Sequence, residues 1–303
     1  TLDVSGAINY NNVLTSGYTG TAVNTNLQAN ASRSSSESIG LQSTNNLTYS
    51  KSFNNAHNLT ATGVVEYQSF QTNAFNALAN NLIYPNLGFN NLSQAQTYNI
   101  GANYSGYELL SYLGRISYDY KGKYFLTAAL RHDGSSKFQA HNQYSSFPSA
   151  SVAWKLSETK FVKNMNFFDN LKIRAGFGIT GNQAINPYQT LLVSYQNVNT
   201  FLGGTALSPG VVLGNPGNVD LSWERTKQWD IGLDADLLKN RLLFSFDYYN
   251  KNTDKLLLDV PVPMYLGGGS ILSNVGKVNN KGFDFSLTGV ILKETAVTWT
   301  SSV

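Results

Sequence analysis

The sequence contains no cysteine and few charged residues. The absence of cysteine excludes disulfide scaffolds, thiol catalysis, Cys-ligated zinc and iron–sulfur clusters. Only 13% of the 303 residues are charged, whereas soluble domains carry roughly 25%. The formal net charge of +3 leaves no basic stripe of the kind that neutralises phosphates, so nucleic acid is not expected as a partner. Groups other than ionic side chains must therefore cover much of the surface.

Long apolar runs are missing as well. No stretch approaches the roughly 18 consecutive apolar residues that a membrane-spanning helix needs. The first residues, Thr1 to Val4, lack the basic start and the apolar region of a secretory signal. We therefore expect either a cytoplasmic protein or a sequence that begins inside a longer chain.

Apolar and polar residues alternate with a period of two along most of the chain. The segment from Leu110 to Tyr120 alternates in this way, a turn follows at Lys121 to Lys123, and alternation resumes from Tyr124 to Asp133. A period of two is typical of β-strands. The whole sequence predicts about eleven strands, most of about 9 to 14 residues, longer than the five or six residues common in soluble sheets.

Short and long connections between these strands alternate. The expected short connections are Lys51–Ala56, Lys121–Lys123, Leu238–Asn240 and Lys293–Thr295, with a partly helical one at Ser157–Asn170. The expected long connections are Asn11–Ser35, Thr72–Tyr107, Ser135–Ser146, Gly181–Leu221 and Leu256–Asn280. Short turns on one rim and long loops on the other are typical of an antiparallel transmembrane outer-membrane β-barrel. A soluble β-sandwich is the alternative, but it would have shorter strands.

The apolar face of the strands suits lipid. Trp229 to Leu237 supply an outward apolar band, and Arg225 and Lys227 lie on the same face toward the long loops, where they could reach lipopolysaccharide phosphates. Aromatic residues gather near the short turns, as in an aromatic girdle. These residues are Tyr118, Tyr120, Tyr124 and Trp154.

No motif predicts catalysis, a metal or a cofactor. The segment Gly176 to Gly181 matches G-x-G-x-x-G, but no amphipathic helix follows that could bind a pyrophosphate. The histidines His57, His132 and His141 lack the spacing of a zinc site. The glycines are expected to face a barrel interior instead.

Charged residues on the polar face separate by sign along the chain, since the middle strands are mainly basic and the later strands acidic. Facing a lumen, these groups need water or partners, so they could line an aqueous pore or contact a separate plug domain. We predict the plug contact. The predicted lumenal residues are Arg115, Arg131, Asp133, Lys172, Arg174, Glu224, Asp230 and Asp234.

Several blocks together resemble the SusC/RagA family of TonB-dependent outer-membrane transporters. The resemblance covers about Tyr112 to Leu292, and from Thr1 to Asn103 only the alternation supports it. The blocks are Tyr118–Tyr124, Arg131–Phe138, Phe147–Trp154, Leu171–Arg174 with Thr180–Asn182, Trp223–Thr226 and Asn274–Gly282.

The resemblance implies a 22-stranded barrel closed by an N-terminal plug, driven by the TonB–ExbB–ExbD complex and paired with a SusD-like surface lipoprotein. Residues 1–303 would then be part of a single barrel domain, about 11 of the 22 strands. The plug, TonB box, signal peptide and C-terminal strands would lie outside them.

The resulting functional hypothesis is active uptake of oligosaccharides or peptides, without enzymatic activity. Aromatic rings stack on sugar faces, so tyrosines on the long loops are the predicted substrate contacts. They are Tyr104, Tyr107, Tyr188 and Tyr195. A passive porin and an outer-membrane enzyme remain as alternatives.

Overall fold

The structure is a computed structural model. It describes residues 1–21, 28–165, 167–191, 194–201, 207–213, 217–266, 268–292 and 299–303; for 194–201, 207–213 and 266 it describes the backbone alone.

Antiparallel strands make up most of the described chain, which confirms the predicted fold class. The main sheet holds eleven strands in chain order. They are β1 (Leu2–Thr19), β2 (Asn30–Phe53), β3 (His57–Leu82), β4 (Ala95–Tyr120), β5 (Tyr124–Ser135), β6 (Tyr144–Lys155), β7 (Phe168–Asn182), β10 (Glu224–Leu237), β11 (Leu242–Asp254), β14 (Lys277–Leu292) and β15 (Trp299–Ser302). Two hairpins stand apart from it, β8 (Ser194–Phe201) with β9 (Leu207–Leu213), and β12 (Leu257–Pro261) with β13 (Ser270–Asn274).

Helical structure is confined to connections. The 3-10 turns are Pro85–Asn90, Leu92–Gln94, Leu156–Glu158 and Met264–Leu266, and the α-helix α1 is Lys160–Met165. The 3-10 turn Leu156–Glu158 and helix α1, which precede β7, confirm the helical turn expected between Ser157 and Asn170. Among the described residues, no helix has the length and apolar character needed to cross a membrane.

The chain divides into two compact units. One contains Thr1–Asp3, Asn45–Val65 and Ser111–Val303, and the other contains Val4–Thr44 and Glu66–Leu110. The second unit has a small core of alanines and leucines. Its members are Ala29, Ala31, Ala79, Leu82 and Ala95, with Leu92 packed against them.

Strands β1 to β4 are longer than predicted, at 18 to 26 residues. The long loops expected at Asn11–Ser35 and Thr72–Tyr107 are therefore wrong over most of their length. These segments are rich in uncharged polar residues, whose side chains can bond across the sheet; the Ser38 and Thr72 hydroxyls, for example, lie 3.1 Å apart. Backbone hydrogen bonds and such polar pairs can hold strands together without an apolar residue at every second position. The alternation pattern therefore could not predict these strand extensions.

Short and long connections fall on opposite edges of β5 to β14, as predicted. Tight turns at 121–123 and 238–241 use left-handed residues, including Lys121 and Leu238 with φ of 57° and 58°. The connections at 136–143, 183–223 and 255–276 form the other edge, and the last two contain the separate hairpins. The expected turn at Lys293–Thr295 lies outside the described residues.

Alternation gives this sheet an apolar face and a polar face. The apolar face carries exposed large side chains such as Leu126, Val152 and Ile231, with relative exposures of 48%, 52% and 50%. In a protein in water, such a continuous exposed apolar surface would promote association. The apolar face therefore matches the lipid-facing surface predicted from the sequence.

Candidate functional site

The polar face brings the basic and acidic residues that the sequence separates into register. Strand β7 lies between β6 and β10, so that Lys172 is opposite Asp234 and Arg174 is opposite Gly232. On the next strand, Asp247 is also opposite Gly232. The middle basic strands and the later acidic strands thus supply partners for each other.

Arg174 is the centre of an ion-pair network across three strands. Its Nε donates to Asp234 Oδ2 at 3.0 Å, and its Nη2 donates to Asp234 Oδ1 at 3.1 Å and to Asp247 Oδ2 at 2.7 Å. The Ser245 hydroxyl donates to Asp234 at 2.9 Å. The three charged side chains are only 24% to 32% exposed, so their pairing is screened less than that of a surface salt bridge.

Gly232 leaves the space in which this network forms. A Cβ at this position would overlap Asp247 Oδ1 and lie 2.6 Å from Arg174 Cζ. Real Cβ atoms do not come that close, so any side chain at this position would displace the ion pair. Sequence reasoning did not identify Gly232, because a glycine in a strand carries no sign of which cross-strand neighbours need room.

A second ion pair lies near the long-connection edge. Arg131 Nε donates to both carboxylate oxygens of Asp133, at 2.8 and 2.9 Å, and its Nη2 donates to Ser111 Oγ at 3.0 Å. Glu224 accepts hydrogen bonds from the Leu257 amide at 3.2 Å and from the Asn182 side chain at 3.3 Å. These predicted lumenal residues have partners within the described sheet and its loops.

The other predicted lumenal residues differ in their surroundings. Arg115 is exposed on β4. Asp230 is opposite Gly176, and a Cβ on Gly176 would lie 2.9 Å from the Asp230 carboxylate. Gly176 therefore makes room for Asp230, which supports an interior-facing role for this glycine segment in place of nucleotide binding.

A buried aromatic cluster lies where the long connections meet the sheet. Trp223 contacts Phe138 and Phe147 at ring-centroid distances of 5.4 and 5.5 Å, and its indole N–H donates to the Gln143 carbonyl at 3.0 Å. Leu221, two residues before Trp223 in sequence, is fully buried. Burying each such side chain contributes on the order of 1.5 to 3 kcal/mol, so this cluster anchors the connections 136–143 and 183–223.

Two of the predicted substrate tyrosines, Tyr104 and Tyr107, are not brought together. Tyr104 and Tyr107 both lie in β4, not in a loop, and on opposite faces. A Cβ on Gly106 would lie 3.0 Å from the Tyr104 hydroxyl, while Tyr107 packs against Phe70 at 5.8 Å. The two rings therefore cannot form one subsite.

The remaining two tyrosines belong to the connection 183–223. Tyr188 is in a turn at φ 63°, with its side chain half exposed. Tyr195 lies in β8, and its side chain is outside the described part of the structure.

The histidines have ordinary partners in place of a metal site. The hydroxyl of Tyr118 lies 2.6 Å from His57 Nδ1, and Ser146 Oγ lies 2.9 Å from His132 Nδ1. His141 Nε2 is 3.5 Å from the Asp220 carboxylate. In the described ranges, no group of three or more His, Asp or Glu side chains could hold a metal ion.

The apolar face carries two aromatic rows, one near the short turns and one near the middle of strands β10, β11 and β14. Near the short turns, Tyr120 stacks on Tyr124 at 6.3 Å and Tyr124 on Trp154 at 5.9 Å, so these three members of the predicted girdle lie together. Sequence reasoning missed a second row, in which Tyr248 contacts Trp229 and Phe283 at 5.4 and 5.1 Å. Only the register of β10, β11 and β14 reveals it.

Comparison with known proteins points to one family. The family profile described as TonB dependent receptor-like, beta-barrel, matches residues 1–303. TonB-dependent receptor P26 of Formosa agariphila is 40% identical over 278 residues, which is 90% of this chain and 28% of that protein. TonB-dependent receptor SusC of Bacteroides thetaiotaomicron is 34% identical over 196 residues, 63% of this chain and 19% of that protein.

A solved structure agrees with these relatives. A chain of the RagAB peptide transporter superposes with a TM-score of 0.88 at 27% identity, over 99% of this chain and 33% of its own length. The relatives carry the names of receptors and transporters, not of enzymes. The chain spans less than a third of the length of the curated relatives that it matches.

Proposed function

The chain belongs to the TonB-dependent receptor β-barrel family and lies in the outer membrane, and we propose that it forms part of the wall of an active importer for oligosaccharides or peptides. The observation that carries this proposal is the pair of faces on one antiparallel sheet. An exposed apolar face suits lipid, and the opposite face has charges that pair across strands. Residues 1–303 would form about half of a 22-stranded barrel domain.

The paired charges refine the proposal about the plug. Arg174 and Asp234 neutralise each other within the wall, as do Arg131 and Asp133. They can remain charged beside the lumen without a plug residue. We expect the plug contacts to come from the remaining predicted lumenal residues, which are Arg115, Lys172 and Asp230.

The long-connection edge is the proposed site of substrate contact. Tyr188 lies in this edge with its ring half exposed, in a turn that the Leu191 amide closes by donating to the Tyr188 carbonyl at 2.9 Å. An exposed ring on a fixed turn can stack on a sugar face or an apolar peptide side chain. Tyr195 is proposed for the same connection. Of Tyr104 and Tyr107, at most one can face the substrate path.

The proposed partners rest on the family. The matched structure is that of the RagAB peptide transporter, and SusC is among the relatives of this chain. Both support our proposal that the chain pairs with a SusD-like surface lipoprotein. The membership also supports energisation by the TonB–ExbB–ExbD complex. Peptide is the cargo in the name of that neighbour, and for this chain oligosaccharide and peptide both remain proposals.

Uptake by the full-length protein tests the function. A strain lacking the gene is complemented with the wild type, and uptake of fluorescent oligosaccharide and peptide pools is compared with and without a protonophore. We expect one pool to enter only when the proton-motive force is intact. Uptake that persists with the protonophore would indicate a passive porin, and substrate cleavage by the purified protein would indicate an enzyme.

A point variant tests the binding role separately. Tyr188→Ala should weaken binding of the imported pool about 5- to 150-fold. An aromatic ring that stacks on a ligand contributes on the order of 1 to 3 kcal/mol to binding. Tyr112→Ala is the matched control, because Tyr112 is 45% exposed and Tyr188 is 42% exposed. Equal uptake by both variants would exclude Tyr188 from the substrate path.

A further inference from the structure

A shallow hollow lies on the polar face where β6, β7 and β10 run side by side, and its volume is about 350 Å³. Gly176 and Gly178 form its floor, and polar side chains surround them. These side chains include Ser149, Ser151, Gln228 and Asp230. A glycine inside a strand often marks a place where a ligand or another chain approaches the backbone closely, so the hollow is a candidate binding site.

The strand register explains why the hollow forms. Two neighbouring cross-strand rows build it, and in each row a serine of β6 is opposite a glycine of β7, which is opposite a longer polar side chain of β10. The rows are Ser149, Gly178 and Gln228, and then Ser151, Gly176 and Asp230. Because the rows are two residues apart on every strand, all six positions share one face.

A tyrosine ring continues the second row. Tyr249 on β11 is opposite Asp230 on one side and opposite Gly282 of β14 on the other. A Cβ on Gly282 would lie 2.8 Å from the Tyr249 hydroxyl oxygen and 3.0 Å from its Cζ, so the half-buried ring lies along the sheet across Gly282. Tyr249 is two strands from Gly176, a distance of about 10 Å. We call the hollow, Tyr249 and Gly282 together the wall patch.

The polar groups of the wall patch are available to a ligand. Within the part of the chain that the structure describes, five of its side chains form no hydrogen bond or ion pair with another residue. They are Ser149, Ser151, Gln228, Asp230 and Tyr249. Lys251, which is opposite Gln228, matches the one carboxylate of the patch, Asp230, in charge. The wall patch therefore suits an uncharged ligand that both donates and accepts hydrogen bonds.

An extended peptide would find few partners on this patch. Strands β7, β10 and β11 are each paired with a neighbour on both sides, so no sheet edge is open to a peptide backbone. The large apolar side chains of these strands, such as Phe177, alternate to the opposite face. A sugar, in contrast, can stack one face on the Tyr249 ring and bond its hydroxyls to the serine, glutamine and aspartate side chains.

We propose that the wall patch binds a neutral saccharide chain, with one sugar ring in the hollow and a nearby ring of the same chain stacked on Tyr249. This inference rests on the import function proposed above, and it favours oligosaccharide over peptide as the cargo. The wall patch lies on the strands themselves and not in the connection that carries Tyr188. It is therefore a contact site separate from the long-connection edge.

Calorimetric titration of the purified full-length protein tests this proposal. The probes are neutral hexasaccharides of glucose, mannose and xylose, together with uncharged hexapeptides. Gly178→Val fills the hollow, and the fold should tolerate it, because a Cβ there would lie at an ordinary contact distance of 3.5 Å from Ser149 Cβ. Its matched control is Gly114→Val on β4, where a Cβ would meet no atom within 4 Å. Tyr249→Ala removes the ring, with Tyr112→Ala as its control.

We expect at least one hexasaccharide to bind the wild type, Gly178→Val to weaken that binding on the order of tenfold, and Tyr249→Ala to weaken it about 5- to 150-fold. Both controls should bind as the wild type does. The proposal is overturned if no hexasaccharide binds the wild type, if either test variant keeps the wild-type affinity, or if the hexapeptides bind as tightly as the saccharides. Protonophore-sensitive uptake is measured in parallel. If it persists while the binding results overturn the wall patch, the import function stands without this site.

Discussion

Replacing Arg174 by glutamine should destabilise the barrel while leaving its backbone fold intact. The change removes the positive charge between Asp234 and Asp247, whose carboxylates lie 3.0 and 2.7 Å from the guanidinium. Both carboxylates would then lack a cationic partner in a half-buried position. The cost comes from these two stranded anions more than from the lost ion pair itself.

The size of the effect follows from the exposure of the network. Removing one partner of a fully buried ion pair costs about 3 to 5 kcal/mol, and a fully exposed pair contributes about 0 to 1 kcal/mol. The side chains here are 32%, 28% and 24% exposed. We therefore expect Arg174→Gln to lower the free energy of unfolding by about 2 to 3 kcal/mol.

A second variant separates the stranded charges from lost packing. Arg174→Gln/Asp234→Asn/Asp247→Asn carries the same shortened side chain at position 174, keeps the shapes of both aspartates and removes all three charges. It should therefore recover most of the loss, to within about 1 kcal/mol of the wild type.

The assay is guanidinium unfolding of the full-length protein in detergent micelles, followed by tryptophan fluorescence. If Arg174→Gln is as stable as the wild type, or the triple variant is less stable than Arg174→Gln, then the network does not stabilise the wall as argued.

Three further outcomes can be measured. Gly232→Ala should reproduce most of the loss of Arg174→Gln, because a Cβ there displaces the guanidinium; equal unfolding midpoints for Gly232→Ala and the wild type would contradict this. Trp223→Ala should cost about 3 to 5 kcal/mol and speed proteolysis of the connection 183–223, whereas unchanged cleavage would show that the aromatic cluster does not anchor it. The Lys163 ammonium, hydrogen-bonded to Glu158 at 2.7 Å, lowers the pKa of that carboxyl below its usual 4.5. The stabilisation that the Glu158–Lys163 pair gives α1 is therefore present above pH 4.5 and lost as the pH falls through the lowered pKa of Glu158. Glu158→Gln should make hydrogen exchange in α1 less dependent on acid pH. An exchange profile equal to that of the wild type would contradict the pairing.

The two faces of β5 to β14 could be predicted from the sequence because lipid imposes a strict period. Where one side of a strand meets hydrocarbon, charged groups are expensive on that side and apolar residues recur at every second position. Leu126 and Val152, for instance, follow this pattern and lie opposite each other on adjacent strands. The extensions of β1 to β4 lack that constraint, and their polar sequences resemble loops.

The charge network could not be predicted in the same way. The sequence shows Arg174 among basic strands, and its partners Asp234 and Asp247 are 60 and 73 residues away. Alternation places each of them on the polar face but does not say which of them meet. The interpretation as unpaired lumenal charges therefore changes for Arg174 and Asp234, and for Arg131 and Asp133.

The sequence by itself determined the strand class, the polarity of each face, the edge of the short turns and the family. The tertiary structure decided which residues share a cross-strand row, because register depends on how neighbouring strands align and not on the period within one strand. That alignment places Gly232 between Arg174 and Asp247 and gathers Arg225, Asp254 and Lys277 into one row. The ion-pair network exists only because of this alignment.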